Sequence, residues 1–172
     1  MRTVWGSDCG KGSHVLAPVA HNTAGTFQRD VLYVEDDADA AFLFKELFAG
    51  AGVTKQFHVA TDGQMAVDYL AGNGPFAHRD QYPLPCLVLL DLKLPRKHGL
   101  EVLAWIRQQP ELKKLVVIIF TSWGMPDDIN RAYELGANGY LVKPVSFEGN
   151  EALVKLISEF WLHHNQFAEV KN

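Results

Sequence analysis

The sequence predicts an α/β fold: a five-stranded parallel sheet of order 2-1-3-4-5 with helices on both faces. Three observations point to it. Short apolar runs alternate with segments of helical periodicity, the pattern of repeated strand–helix units. The runs that start at Cys86 and Leu115 are almost continuously apolar, as central strands buried on both faces must be. Three runs also end on chemistry: Val31 to Val34 on Glu35-Asp36-Asp37, Cys86 to Leu90 on Asp91, and Val116 to Phe120 on Thr121-Ser122. In an open parallel sheet the carboxyl ends of the strands line the ligand crevice, near the point where strand order reverses.

The elements follow in order. The strand from Val31 leads into a helix from about Ala38 to Ala49, with Phe42, Leu43, Leu47 and Phe48 as its apolar positions and Gly50 and Gly52 marking its end. Gln56 to Ala60 forms a short strand, and Asp62 caps a helix that carries Met65, Ala66, Tyr69 and Leu70. Gly72-Asn73-Gly74-Pro75 breaks this helix, and a polar loop runs on to Pro85. The Cys86 strand passes Pro95 into a helix from about Gly99 to Gln109. The Leu115 strand leads to a helix from about Pro126 to Leu135, stopped by Gly136. Gly139 to Val142 is a weaker strand ending on Lys143-Pro144, and a long helix follows in which Leu153, Leu156, Ile157, Phe160 and Trp161 recur at helical spacing.

Composition narrows the function classes. The 172 residues, 48% hydrophobic and 21% charged, suit one globular domain with some excess length. Residues 1–28 are rich in Gly, Ser, Thr, His and Asn without periodicity and read as a flexible extension, 29–164 as the folded domain and 165–172 as a short tail. Gly6 to Ser13 fails as a phosphate loop, because Trp5 stands where the first Gly belongs and Gly12 follows Lys11. A net charge of −4 without a basic stripe argues against nucleic acid. Two cysteines, Cys9 and Cys86, make no disulfide framework and fit a reducing, cytoplasmic setting. No apolar stretch reaches membrane-spanning length.

With the predicted strand order, Glu35, Asp36 and Asp91 meet at adjacent strand ends. Two unit charges about 4 Å apart repel by roughly 4 kcal/mol at an effective dielectric of about 20, so a raised pKa or a bound cation is required. Mg²⁺, with Mn²⁺ as a substitute, suits hard oxygens and keeps positions open for water and phosphate. Asp is also a phosphoryl acceptor through an acyl phosphate. Lys143 would pair with a phosphoryl oxygen and the Thr121 hydroxyl would donate to one. Singly, each residue has a plainer role: Asp36 or Asp37 as helix caps, Thr121 as a strand-end hydroxyl, Lys143 as a solvated charge. Their common position at strand carboxyl ends favours a shared site. His58, His98, His163 and His164 read as structural or solvated.

From about Asp30 to His164 the chain resembles the receiver domain of bacterial two-component response regulators. Val34-Glu35-Asp36-Asp37, Leu90-Asp91-Leu92-Lys93-Leu94-Pro95, Phe120-Thr121-Ser122 and Gly139-Tyr140-Leu141-Val142-Lys143-Pro144 carry the resemblance. Thr121 lies 121 − 91 = 30 positions after Asp91, and Lys143 a further 143 − 121 = 22, spacings that suit the family. Within it, the loop before Cys86, Gly136-Ala137-Asn138 and the Glu159-Phe160-Trp161-Leu162 ending look most like the stand-alone regulators of phytochrome-type sensor kinases.

The resemblance implies that Asp91 accepts a phosphoryl group from a kinase phosphohistidine. Glu35, Asp36, Asp91 and the Lys93 backbone carbonyl would hold Mg²⁺, and Thr121 and Lys143 would contact the phosphoryl group. Thr121 and Tyr140 would form the conformational switch, and the Lys143–Pro144 bond would be cis. Two departures stand out: Glu35 replaces the Asp often found there, and Lys93 and Trp123 flank the path of the attacking water. The chain would then be a signalling protein that assists its own phosphorylation and dephosphorylation, rather than an enzyme acting on a separate substrate. Its partners would be a sensor histidine kinase and a second copy, through a face made by the fourth helix, fifth strand and fifth helix. A phosphotransfer intermediate, a phosphate sink and a phospho-independent adaptor are the competing functions.

Overall fold

The computed structural model describes residues 30–52 and 56–168; the extension expected over residues 1–28 and the end of the tail lie outside them. Five strands, β1 (Val31–Val34), β2 (Phe57–Ala60), β3 (Leu87–Leu90), β4 (Val116–Thr121) and β5 (Gly139–Val142), alternate with five helices. The helices are α1 (Ala38–Gly50), α2 (Gly63–Ala71), α3 (Gly99–Gln108), α4 (Pro126–Glu134) and α5 (Phe147–Ile157). All strand pairs are parallel, in the order β2-β1-β3-β4-β5. β1, β3 and most of β4 are buried on both faces, while β5 stays partly open at one edge. Alternate strand residues divide the core: Leu32, Val34, Val88 and Leu90 face α2 and α3, whereas Val31, Tyr33, Leu87 and Leu89 face α1 and α5.

Local chemistry starts and stops these helices. The Asp37 carboxylate accepts from Asp39 N at 2.9 Å and Ala40 N at 3.2 Å, so this residue caps α1. Asp62 caps α2 through Met65 N at 2.8 Å, and Gly72, at φ 71°, closes α2 in the left-handed region that glycine occupies without strain.

Several details differ from expectation. In α1 the buried residues are Ala41, Phe44 and Phe48, and Phe42 is exposed. The loop after α2 is not merely polar. Gly74–Ala77 forms a 3₁₀ turn whose Phe76 packs edge-to-face on Tyr82 at 5.1 Å, and the Arg79 guanidinium donates to the last-turn carbonyls of Tyr69 at 2.8 Å and Leu70 at 2.7 Å. After Ile157 the last helix widens into π-helical turns over Ser158–His164, which bury Leu162 and turn Phe160 outward. No cis peptide bond occurs among the described residues, so the Lys143–Pro144 bond is trans, the isomer X–Pro bonds favour, contrary to what the resemblance implied. No helix among them is long and apolar enough to cross a membrane.

Candidate functional site

Glu35, Asp91 and Thr121 lie at the carboxyl ends of β1, β3 and β4, the three central strands. The register pairs Val34 with Leu90 and Leu90 with Ile119, so the residues that follow are brought side by side. Backbone bonds fix each exit: Glu35 N donates to Ala60 O at 2.9 Å, Asp91 N to Val34 O at 3.1 Å and Lys143 N to Thr121 O at 2.8 Å. One carboxylate oxygen from each of Glu35, Asp36 and Asp91 lies within 4.8 Å of the others. Glu35 and Asp91 are buried and Asp36 faces solvent, so the cluster is rooted in the core and open at its mouth.

Lys143 supplies the opposing charge. Its ammonium is nearly buried, bonds to Glu35 Oε2 and lies 3.4 Å from Asp91 Oδ2. The other Asp91 oxygen accepts from Leu92 N at 2.6 Å. The Asp91 carboxylate is thereby held at both oxygens, with its ends in known directions. Asp37 caps α1, which settles the plainer role for that residue and leaves Asp36 to the cluster.

Tyr33 belongs to the site, although nothing in the order or spacing of residues assigns it a role. It is wholly buried, and its hydroxyl donates to Glu35 Oε2 at 2.6 Å. Burial first, and the adjacent Glu35 charge second, push its pKa far above the ordinary phenol value. The available signal was a Tyr inside a strand buried on both faces: its hydroxyl needs a partner, and residue i+2 on the same face is a carboxylate.

Thr121 is fully buried, and its Oγ1 accepts from Trp123 N at 3.4 Å. The Tyr140 hydroxyl donates to the Trp123 carbonyl at 2.7 Å, so the two switch candidates meet the same residue of the β4–α4 loop. Burial, followed by the charges of Asp128 and Asp91, raises the Tyr140 pKa. The Lys93 Nζ lies over the Trp123 ring. Gly99 is a second residue whose role sequence reading missed. At the first position of α3 it lies so close to the β3–α3 loop that a Cβ there would sit 2.1 Å from the Asp91 carbonyl oxygen.

A cluster of hard oxygens with an open mouth fits a divalent cation, and Lys143 beside Asp91 fits an anionic group delivered to that carboxylate.

Comparison with known proteins agrees with this geometry. Residues 31–157 match the response regulator receiver domain family. The probable methanogenesis regulatory protein FilR2 of Methanothrix harundinacea is 38% identical over 139 residues, 79% of this chain and 85% of that protein. Response regulator Rcp1 of Synechocystis is 36% identical over 132 residues, 77% of this chain and 88% of its own length. The crystal structure of Mn²⁺-bound Rcp1 superposes with a TM-score of 0.75 at 33% identity, over 82% of this chain and 99% of Rcp1. That of the phosphorylated cyanobacterial phytochrome response regulator RcpA superposes with a TM-score of 0.77 at 34% identity, over 83% of this chain and 99% of RcpA. With the sheet order, the strand-end carboxylates and the family match in agreement, this chain belongs to the response regulator receiver domain family.

Proposed function

We propose that Asp91 accepts a phosphoryl group from the phosphohistidine of a sensor histidine kinase, and that the aspartyl phosphate changes which proteins the chain binds. The observation that carries this reading is the pairing of Asp91 with Lys143 at 3.4 Å inside a three-carboxylate cluster. The Asp91 oxygen attacks phosphorus while the bond to the histidine nitrogen breaks, and Lys143 balances the charge arriving on the phosphoryl oxygens. The Thr121 hydroxyl donates to one of those oxygens. Glu35, Asp36, Asp91 and the Lys93 backbone carbonyl would hold Mg²⁺, or Mn²⁺ as in the Rcp1 structure. The ion supplies positive charge to the transferring group.

Tyr140 follows Thr121. When the hydroxyl turns toward phosphate, the Trp123 backbone that it shares with Tyr140 shifts, and the ring rearranges the surface of α4, β5 and α5. That surface exposes Tyr133, Val142, Val145, Phe147 and Leu156, an apolar patch suited to a second copy of the chain. The kinase is of the phytochrome type, by likeness to the cyanobacterial phytochrome response regulator RcpA. The functional unit is the receiver domain of residues 29–164, acting in the cytoplasm.

The deciding measurement is phosphoryl transfer to Asp91→Asn from a labelled kinase or acetyl phosphate. Wild type takes up one equivalent in the presence of Mg²⁺, and the variant less than a hundredth of that. Equal labelling of the two proteins overturns the assignment.

A further inference from the structure

The Lys143 ammonium is nearly buried, and two kinds of group surround it. Carboxylates are the first: it bonds to Glu35 Oε2 and lies 3.4 Å from Asp91 Oδ2. Aromatic rings are the second. The ring centroids of Tyr33 and Phe120 lie 5.6 and 5.5 Å from Nζ, and the two rings are 5.9 Å apart on the sheet face that meets α1 and α5. Tyr33 enters this arrangement twice. Besides its ring, its hydroxyl donates at 2.6 Å to the same Glu35 oxygen that Lys143 bonds. That oxygen divides its attraction between a phenol and an ammonium, whereas Glu35 Oε1 accepts a longer bond, from Asp37 N at 3.4 Å. The Tyr33 hydroxyl is therefore the closer neutral donor that fixes the rotation of the Glu35 carboxylate.

We infer that Tyr33 is a positioning residue for phosphorylation: by sharing Glu35 Oε2 and lending its ring to Lys143, it keeps the ammonium between Glu35 and Asp91 instead of paired with Glu35 alone. The inference rests on Asp91 being the phosphoryl acceptor. In the step it serves, an Asp91 oxygen bonds to phosphorus while the bond from phosphorus to the donor's histidine nitrogen breaks, and the electron pair leaves on that nitrogen. Lys143 helps only if it already stands beside the oxygens of the arriving group. Opposite charges attract strongly where water is scarce, so an unshared Glu35 carboxylate draws the ammonium onto itself. The phenol takes up part of that attraction, and the face of the ring offers the cation a second hold. Without the hydroxyl the ammonium closes on Glu35 and withdraws from Asp91.

The test labels the full chain with acetyl phosphate at saturating Mg²⁺ and follows the rate of uptake, normalised to the folded fraction read by near-UV circular dichroism. Tyr33→Phe keeps the ring and loses the hydroxyl. It takes up label about five- to tenfold more slowly than wild type, part of what a hydrogen bond to a charged group is worth. In a Glu35→Gln background, where the neutral amide no longer competes for Lys143, the same substitution changes the rate by less than about twofold. A merely structural role of Tyr33 would lower stability without this dependence on Glu35. Two readouts need no phosphate. In crystals of Tyr33→Phe the Lys143 ammonium lies more than about 4 Å from Asp91, beyond ion-pair distance. In wild type the Lys143 ε-methylene resonances are shifted upfield by the ring currents of Tyr33 and Phe120. A wild-type rate in Tyr33→Phe, multiplicative effects of the two substitutions, an unmoved ammonium in the variant crystal, or an unshifted Lys143 resonance each overturns the inference. Absence of label in wild type overturns instead the role of Asp91, and is told apart because the crystal and resonance readouts still report where Lys143 stands.

Discussion

Tyr33 sits in an aromatic nest with Phe44, Phe57 and Phe120, and the single polar atom it brings there is bonded to a carboxylate. An ionised phenol in that place would lose its hydration and face the Glu35 charge, so the residue stays protonated far beyond the range of a free tyrosine. The folded pKa is raised above the unfolded one. The stability this contributes is therefore complete below about pH 10 and declines as pH rises beyond it, because the unfolded chain releases a proton that the native state retains. Tyr69 and Tyr140 are shifted in the same direction, so the losses add. Urea unfolding between pH 9 and 11 should show a falling stability, each such tyrosine contributing up to about 1.4 kcal/mol per pH unit. Tyr33→Phe should be less stable by about 1.5–3 kcal/mol at neutral pH, for the lost bond to a charged acceptor, yet show a shallower alkaline decline. An unchanged slope would remove Tyr33 as a source of that decline.

Helices meet the site through their first residues. α3 begins at Gly99, whose N–H donates to Leu92 O at 2.8 Å, and α2 begins at Gly63, where a Cβ would fall 2.0 Å from the Lys97 carbonyl oxygen. Both glycines are needed for close approach to the loop that follows Asp91, and neither has a left-handed backbone. Gly99→Ala must push α3 off that loop or move the backbone of Asp91 and Leu92. The cost should be about 1–3 kcal/mol, read as a lower urea midpoint at unchanged slope, with weaker labelling of Asp91 as its companion. At this scale the sequence was legible in part. Strand positions and order came through because buried parallel strands leave continuous apolar runs bounded by charge. Register within α1 did not: Ala40, Ala41, Phe42, Leu43 and Phe44 are all apolar, so two stripes fit the helical period. The contacts of Phe44 with Tyr33 and Phe120, which belong to the tertiary fold, select the buried one. The widening after Ile157 was equally hidden, since spacing alone does not distinguish an α from a π turn. The carboxylates, Thr121 and Lys143 were readable from order and spacing, whereas Tyr33 and Gly99 act through contacts that no local pattern announces.

At the scale of the whole molecule, five of the nine large hydrophobic side chains exposed among the described residues belong to α4, β5, α5 and the loop between β5 and α5. Leu156 is 67% exposed and Phe147 55%, and with Tyr133, Val142 and Val145 they occupy the α4, β5 and α5 side. Covering one large aliphatic or aromatic side chain is worth roughly 1.5–3 kcal/mol, so a few such residues supply much of what micromolar self-association requires. Sedimentation of the wild-type chain should give a dimer, strengthened by a phosphate analogue, and Leu156→Glu should give a monomer that still folds. Monomer alone in wild type, with and without the analogue, would count against this face as the self-association surface.

The segment between α2 and β3 shows how tightly accessory chain can be knotted into a fold. Arg79 closes the open end of α2, Phe76 and Tyr82 cover Tyr69, and the Tyr69 hydroxyl donates to Pro83 O at 2.9 Å. Each partner lies at a different point along the stretch. Trimming it one residue at a time would strand a carbonyl here or an aromatic face there, whereas replacing the whole stretch together with Tyr69 would remove every unmet obligation at once. To anyone splicing this protein the segment is therefore a cassette, exchanged entire or left alone.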